Sequence, residues 1–172
     1  MGFAIAFSRS ILLFAFALFW GGLTFYTGFV VRISHDVLAD PMDGGLITRR
    51  VTSLLQIAAA VTAVLMLTNA LLVARRTPRL GYSLAGLAVV LIVAVIGLFI
   101  VHANLNEIID VDAAEITDRA LFTILHRRYN QLTTLEWLAT VVYLPTTLVA
   151  WRIIDRGEHP ANGDAAPADS IR

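Results

Sequence analysis

The residues best suited to chemistry fall in one stretch, Val101 to Trp137, VHANLNEIIDVDAAEITDRALFTILHRRYNQLTTLEW. It carries His102 and His126 of the four histidines and six of the thirteen acidic residues. Cysteine is absent, which removes disulfides, thiolate nucleophiles, Cys-ligated zinc and iron–sulfur clusters. Histidine, aspartate, glutamate and tyrosine are then the side chains left for chemistry. His102 and Asn106 are four residues apart, as are His126 and Asn130, so each pair shares a helix face. Two such pairs at one end of a helical bundle can converge on a metal ion, a haem or a polar ligand. The competing reading is that these imidazoles only cap helix ends or bond backbone. No HxxxH, ExxH or HExxH spacing occurs to decide between them.

Glu136 is a separate matter. It falls about a turn inside an apolar segment, where an acid is a functional hypothesis by default. It cannot share an ion with His126 on a continuous helix, because ten residues rise about 15 Å. Its helical alignment is with Tyr129 and Thr133, and at its depth it can meet Gln56, Tyr26 or an Arg. The plainer reading is a structural ion pair or an acid near the headgroups. The candidate ligand-binding set is therefore His102, Asn106, His126, Tyr129, Asn130, Glu136 and Gln56. The candidate metal set is His102, His126 and His35, the last beside Asp36 in a polar segment where a solvated histidine is the simpler account.

These residues need elements to position them, and the composition says which. Of 172 residues, 58% are hydrophobic and only 15% charged, with mean hydropathy +0.74. Soluble domains run nearer half apolar and a quarter charged, so the excess faces lipid. Formal net charge is zero, which offers no field to attract nucleic acid. Four apolar runs, about 11–31, 51–73, 82–101 and 132–154, have the length that crosses a hydrocarbon core of about 30 Å. The first is too long for a cleaved signal peptide and is followed by Arg32, so it reads as a retained span. Small residues mark its packing face at Gly21 and Gly22. They recur at Ala59, Ala63, Ala70 and Ala74 in the second run and at Gly86 and Gly97 in the third. Gln56 and Asn69 are amides that must face a partner helix. Pro145 predicts a kink whose freed carbonyl Thr146 or a neighbour satisfies.

The expectation is an all-α integral membrane four-helix bundle occupying 1–156, with a disordered tail over 157–172. Arg32 to Arg50 reads as a loop, with turn signals at Asp40-Pro41 and Gly44-Gly45. Asn104 to Gln131 is too long for a bundle turn. Asp112 with Glu115 reads as a capped start, Glu115 and Arg119 as an i,i+4 pair, and 113–128 as an amphipathic connector helix. That helix either lies at the interface or runs straight into the last span. Four spans put both termini on one side. Arg75, Arg76 and Arg79 crowd the short second loop, which places both termini in the cytoplasm of what reads as a bacterial inner membrane. His35, His102 and His126 then share the opposite face.

The segments FWGGLTFY in the first span and FTILHRRYNQLTTLEW entering the last resemble a family of small four-span membrane proteins. It includes a human transmembrane protein associated with cisplatin resistance. HANLNEIID, with the His126-Arg127 neighbourhood, is similar to anthrone-oxygenase-type membrane proteins at Asn104, Asn106, His126 and Arg127. The resemblance implies the four-span layout, and neither family lends a catalytic motif to these residues. Three functions compete. One is an accessory or binding subunit of a larger membrane complex or homo-oligomer, with a polar ligand site at the non-cytoplasmic face. The second is a membrane redox enzyme, or a metal- or haem-binding protein, using His102 and His126. The third is a small-molecule transporter, ranked last because the inner half offers only Asn69 and the threonines near Pro145.

Overall fold

The computed structural model describes residues 2–110 and 115–158. Four helices account for nearly all of it: α1 (residues 2–37), α2 (Pro41–Ala74), α3 (Pro78–Glu107) and α4 (Arg119–Glu158). Each is long and apolar enough to cross a membrane. The fold is all-α, and among the described residues the one exception is a short antiparallel ladder between α3 and α4. There β1 (Ile109–Asp110) pairs with β2 (Glu115–Ile116), Ile109 opposite Ile116. The expected disordered tail, 157–172, lies outside the described residues beyond Glu158.

The core follows from a spacing rule. On every helix a run of buried positions advances by alternate steps of four and three. They are Leu12, Phe16, Phe19, Leu23 and Tyr26 on α1, and Thr52, Gln56, Ala59, Ala63, Met66, Ala70 and Val73 on α2. On α3 they are Leu84, Ala88, Leu91, Val95 and Leu98, and on α4 Glu136, Thr140, Tyr143, Thr147 and Ala150. A seven-residue seam is the signature of coiled-coil-like bundle packing. Opposite faces carry Phe7, Phe14, Phe25, Phe29, Val61, Val64, Val93 and Ile96, large apolar side chains left exposed. A surface of that kind suits lipid and not water.

Helix boundaries differ from the sequence reading in two places. The polar segment Arg32 to Arg50 is helical apart from Leu38–Asp40, because α1 continues to Val37 and α2 starts at Pro41. The last helix starts at Arg119, capped by Asp118, whose Oδ1 accepts from Leu121 N at 2.9 Å, and not by Asp112. Asp112 and Ala113 lie outside the described residues, while Glu115 is in the ladder and so makes no helical i,i+4 pair with Arg119. Thr117 fixes this start by donating from both its N and its Oγ1 to Ile108 O. The amphipathic segment takes one of the two courses expected for it and runs straight into the last span. It is the first part of α4, which also runs unbroken past Pro145. Thr146 Oγ1 donates to Val142 O at 2.8 Å, one residue from the carbonyl of Val141 that the proline ring frees.

The glycines divide by what stands beside them. Gly22 faces Leu55 and Gly97 faces Leu132, so both are close approaches between helices. Gly86, expected at a contact, has open space beside it. Gly81 packs directly on the backbone of Ala74, in the tight turn where Thr77 N donates to Val73 O at 2.8 Å and Pro78 begins α3. A methyl group at 81 has nowhere to go, since the obstacle is main chain. We expect Gly81→Ala to destabilise the detergent-solubilised protein by about 1–3 kcal/mol. Gly86→Ala, in contrast, is expected to be neutral or stabilising by up to about 1 kcal/mol through helix propensity. Thermal unfolding of the two variants side by side checks the pair.

Candidate functional site

Lipid offers no hydrogen bonds, so polar side chains inside the bundle must find partners there. They gather in three levels along α4. At the end away from the termini, Tyr129 turns inward from α4. Gln56 Nε2 of α2 lies 3.5 Å from Tyr129 OH and 3.5 Å from Leu98 O of α3, both at the long limit of a hydrogen bond. His102 stands beside them, half-buried, its Nε2 3.2 Å from Ser53 Oγ and its ring 6.4 Å from that of Tyr129. Tyr26 OH donates to Thr48 Oγ1 at 3.0 Å and ties α1 to the same end.

The level nearest the termini is fully satisfied. Asn69 Nδ2 donates to Tyr143 OH at 2.9 Å and to Thr147 Oγ1 at 3.4 Å. Trp151 Nε1 donates to Asn69 Oδ1 at 2.9 Å, and Tyr143 OH donates to Met66 O at 2.7 Å. Beyond it Arg9 grips Asp155 with two hydrogen bonds of 2.8 and 2.9 Å, its guanidinium 4.9 Å from the Trp151 ring centroid. The sequence reading noticed Asn69 only as an amide needing a partner and missed the rest. The available signal was the spacing of Tyr129, Glu136 and Tyr143 against Thr133, Thr140 and Thr147, which repeats every seven residues.

Between these two levels lies Glu136, 3% exposed, with Oε1 lacking any hydrogen-bond partner. No ion pair reaches it among the described residues. The register that sets Gln56 and Leu98 beside Tyr129 carries inward by seven residues, about 10 Å, to set Glu136 level with Ala63 and Leu91. Those residues stand at the middle of the apolar runs of α2 and α3. The acid is thus deeper than the one turn inside the span that the apolar run 132–154 suggests, because α4 is helical well before that run begins. Beside it, Trp137 Nε1 donates to Thr24 Oγ1 at 3.0 Å, and the Trp137 ring stacks on Trp20 at 6.0 Å between centroids. Trp20 Nε1 and Thr133 Oγ1 are also buried without a partner.

The other expected site residues go elsewhere. Tyr129 takes the inward position on α4, so Asn130, turned by about 100°, is exposed, as is His126. His126 stacks on Phe122 at 5.6 Å and lines a shallow open groove with Thr123, Arg127, Asn130 and Gln131, all from α4 itself. Asn106 is half-buried at the end of α3. His35 is exposed, its Nδ1 2.7 Å from Val31 O on its own helix. His102 is thus brought to Tyr129 and Ser53, while His126 engages Phe122, and the two His–Asn pairs do not form one constellation. No group of three or more His, Cys, Asp or Glu side chains that could hold a metal ion occurs among the described residues.

Compared with known proteins, the chain matches no family model, no curated sequence and no solved structure. Its function must be argued from the geometry. The Asn69 level serves as the internal reference, since all its groups are paired. Tyr143→Phe removes the donor to Met66 O and one acceptor of Asn69, and is expected to cost about 1 kcal/mol, the scale of an interhelical hydrogen bond in a membrane bundle. Chemical or thermal unfolding in detergent measures it.

Proposed function

We propose that this chain is a small membrane-embedded binding protein, an accessory subunit or carrier without turnover. Its ligand site is the level of Glu136, reaching up to Tyr129, Gln56 and His102. One observation carries the reading. Glu136 sits halfway through the bundle, buried, without a cation and with an unpaired carboxyl oxygen, while the Asn69 level nearby pairs everything it buries. A buried acid left unpaired weakens the fold, and such strains are retained where function needs them. This moves the expected ligand site from the rim of the bundle to its interior. It also raises the standing of transport, because the inner seam of α4 is polar over its whole depth: Tyr129, Thr133, Glu136, Thr140, Tyr143, Thr147.

The arginines support an orientation. Arg75, Arg76 and Arg79 flank the tight α2–α3 turn, and Arg9 and Arg156 lie at the same end of the bundle. By the positive-inside tendency both termini lie in the cytoplasm, in a bacterial inner membrane. A chain without cysteine makes the test clean. Single Cys replacements of His35 and Arg79 are expected to react with an impermeant maleimide from opposite sides of the membrane in intact cells, His35→Cys from outside. Labelling of Arg79→Cys from outside would reverse the orientation.

Glu136→Leu tests the site. It removes an unpaired acid and keeps a similar volume, so in the absence of ligand it is expected to stabilise the bundle by about 1–4 kcal/mol. The same change is expected to strip the purified protein of any compound that accompanies wild type, as read by mass spectrometry of extracts. A strongly destabilised Glu136→Leu variant would mean the acid is structural and would remove the reason for the proposal.

A further inference from the structure

Three buried polar atoms in the described residues have no partner: Glu136 Oε1, Thr133 Oγ1 and Trp20 Nε1. Their positions on the helices bring them to one place. On α4, Leu132 marks the side that meets α3 at Gly97, and Trp137 marks the side that meets α1 at Thr24. At about 100° per residue, Thr133 falls between Glu136 and Trp137. The acid therefore faces the centre, the hydroxyl sits between it and α1, and the stacked Trp20–Trp137 pair stands at the α1–α4 seam.

Thr133 is informative because its neighbours behave differently. Thr123, Thr134, Thr140 and Thr146 on the same helix each return their hydroxyl to the carbonyl four residues back, at 2.8 to 2.9 Å. That bond is the ordinary refuge of a threonine in lipid. Thr133 does not take it.

The seam is also where the bundle is most open to change. α1 is the least buried of the four helices. It carries two π-helical turns, Ala17–Gly21, which contains Trp20, and Tyr26–Val30, with Thr24 between them. Such turns cluster at functional sites because they break the regular ladder and re-aim side chains. Opposite the acid, α2 presents Ala59 and Ala63, both buried and without polar atoms in their side chains, so that wall offers the carboxyl no partner.

From this we infer that the Glu136 level binds a singly charged lipophilic organic cation, an aromatic or alkylated ammonium or its phosphonium equivalent, taken up sideways between α1 and α4. The inference rests on the binding reading above and adds the chemical class of the ligand. A carboxylate supplies one negative charge. Trp20 is stacked by both Phe16 and Trp137, so the ring of Trp137 supplies the aromatic surface on which cations of this kind rest, within about 6 Å of a ring centroid. Thr133 and the Trp20 N–H are left for a polar substituent. A hydrated divalent ion is excluded by the donor set, since it wants about six oxygen ligands and the level offers one carboxyl.

Tetraphenylphosphonium is the probe, with neutral triphenylphosphine oxide as its uncharged counterpart. Both are titrated against purified full-length protein in detergent by equilibrium dialysis, with empty micelles subtracted. Wild type is expected to bind one phosphonium per chain saturably. Glu136→Gln is expected to weaken binding at least tenfold, Glu136→Asp to stay within a few-fold of wild type, and Trp137→Leu to weaken it several-fold. Absence of a saturable component in wild type, or equal binding by Glu136→Gln, overturns the inference. If the neutral oxide binds in a Glu136-dependent way and the phosphonium does not, the cation assignment falls while the binding site stands. If neither probe nor any copurifying compound depends on Glu136, both fall together.

Discussion

A hydrocarbon surrounding cannot accept or donate a hydrogen bond, and most of this structure is a response to that fact. The backbone answers with four long helices. The short polar side chains answer locally: Thr27, Thr62, Thr68, Thr134 and Thr146 each fold their hydroxyl onto the carbonyl one turn back. Larger polar groups cannot do this and must reach a neighbouring helix. Asn69 is the fullest case, since its amide is shared among Tyr143, Thr147 and Trp151. An acid in the same interior, with neither a backbone carbonyl nor a cation to engage, stands out against this background. Its exceptional character is a property of the surroundings as much as of the residue.

The four helices divide the labour along one seven-residue seam. α3 contributes mainly Leu and Ala, and α2 contributes small residues that let neighbours come close. α1 contributes aromatic rings, with Phe16 and Trp137 on either side of Trp20. α4 turns hydroxyls, a phenol pair and a carboxyl inward, and α2 answers with Thr52, Gln56 and Asn69. A bundle built this way holds a polar column between α2 and α4, walled by apolar side chains. In lipid, where apolar surface gains nothing by leaving water, close packing of those walls and the interhelical hydrogen bonds offset the cost of the column.

Much of this could be read from residues alone. The four long helices followed from apolar runs of the right length, and the inward direction of Gln56 and Asn69 from the rule that amides avoid lipid. Helix ends were harder. Arg32 to Arg50 is polar enough to resemble a loop, yet it continues helices beyond the apolar runs, and Arg119 to Gln131, expected as an amphipathic helix, likewise extends α4 ahead of its apolar run, because a helix can outlast its greasy stretch. That same extension hid the depth of Glu136: counted from the start of an apolar run it sat shallow, and counted from the register with α2 and α3 it sits midway. The histidines misled for a different reason. Spacing showed His126 and Asn130 on one face, but only packing could tell that Tyr129 claims the inside and turns that face outward.

The double hydrogen bond between Arg9 and Asp155 fastens the first and last helices at the end where the chain starts and finishes. A clasp at one extremity makes a lever of a rigid rod. With the fulcrum at Arg9, a swing of about 5° moves the Trp20 level, some 16 Å along the axis, by roughly 1.5 Å. The Thr24 level moves farther and the clasp hardly at all. Any parting of these two rods is therefore graded along their length, slight near the chain ends and widest at the far mouth.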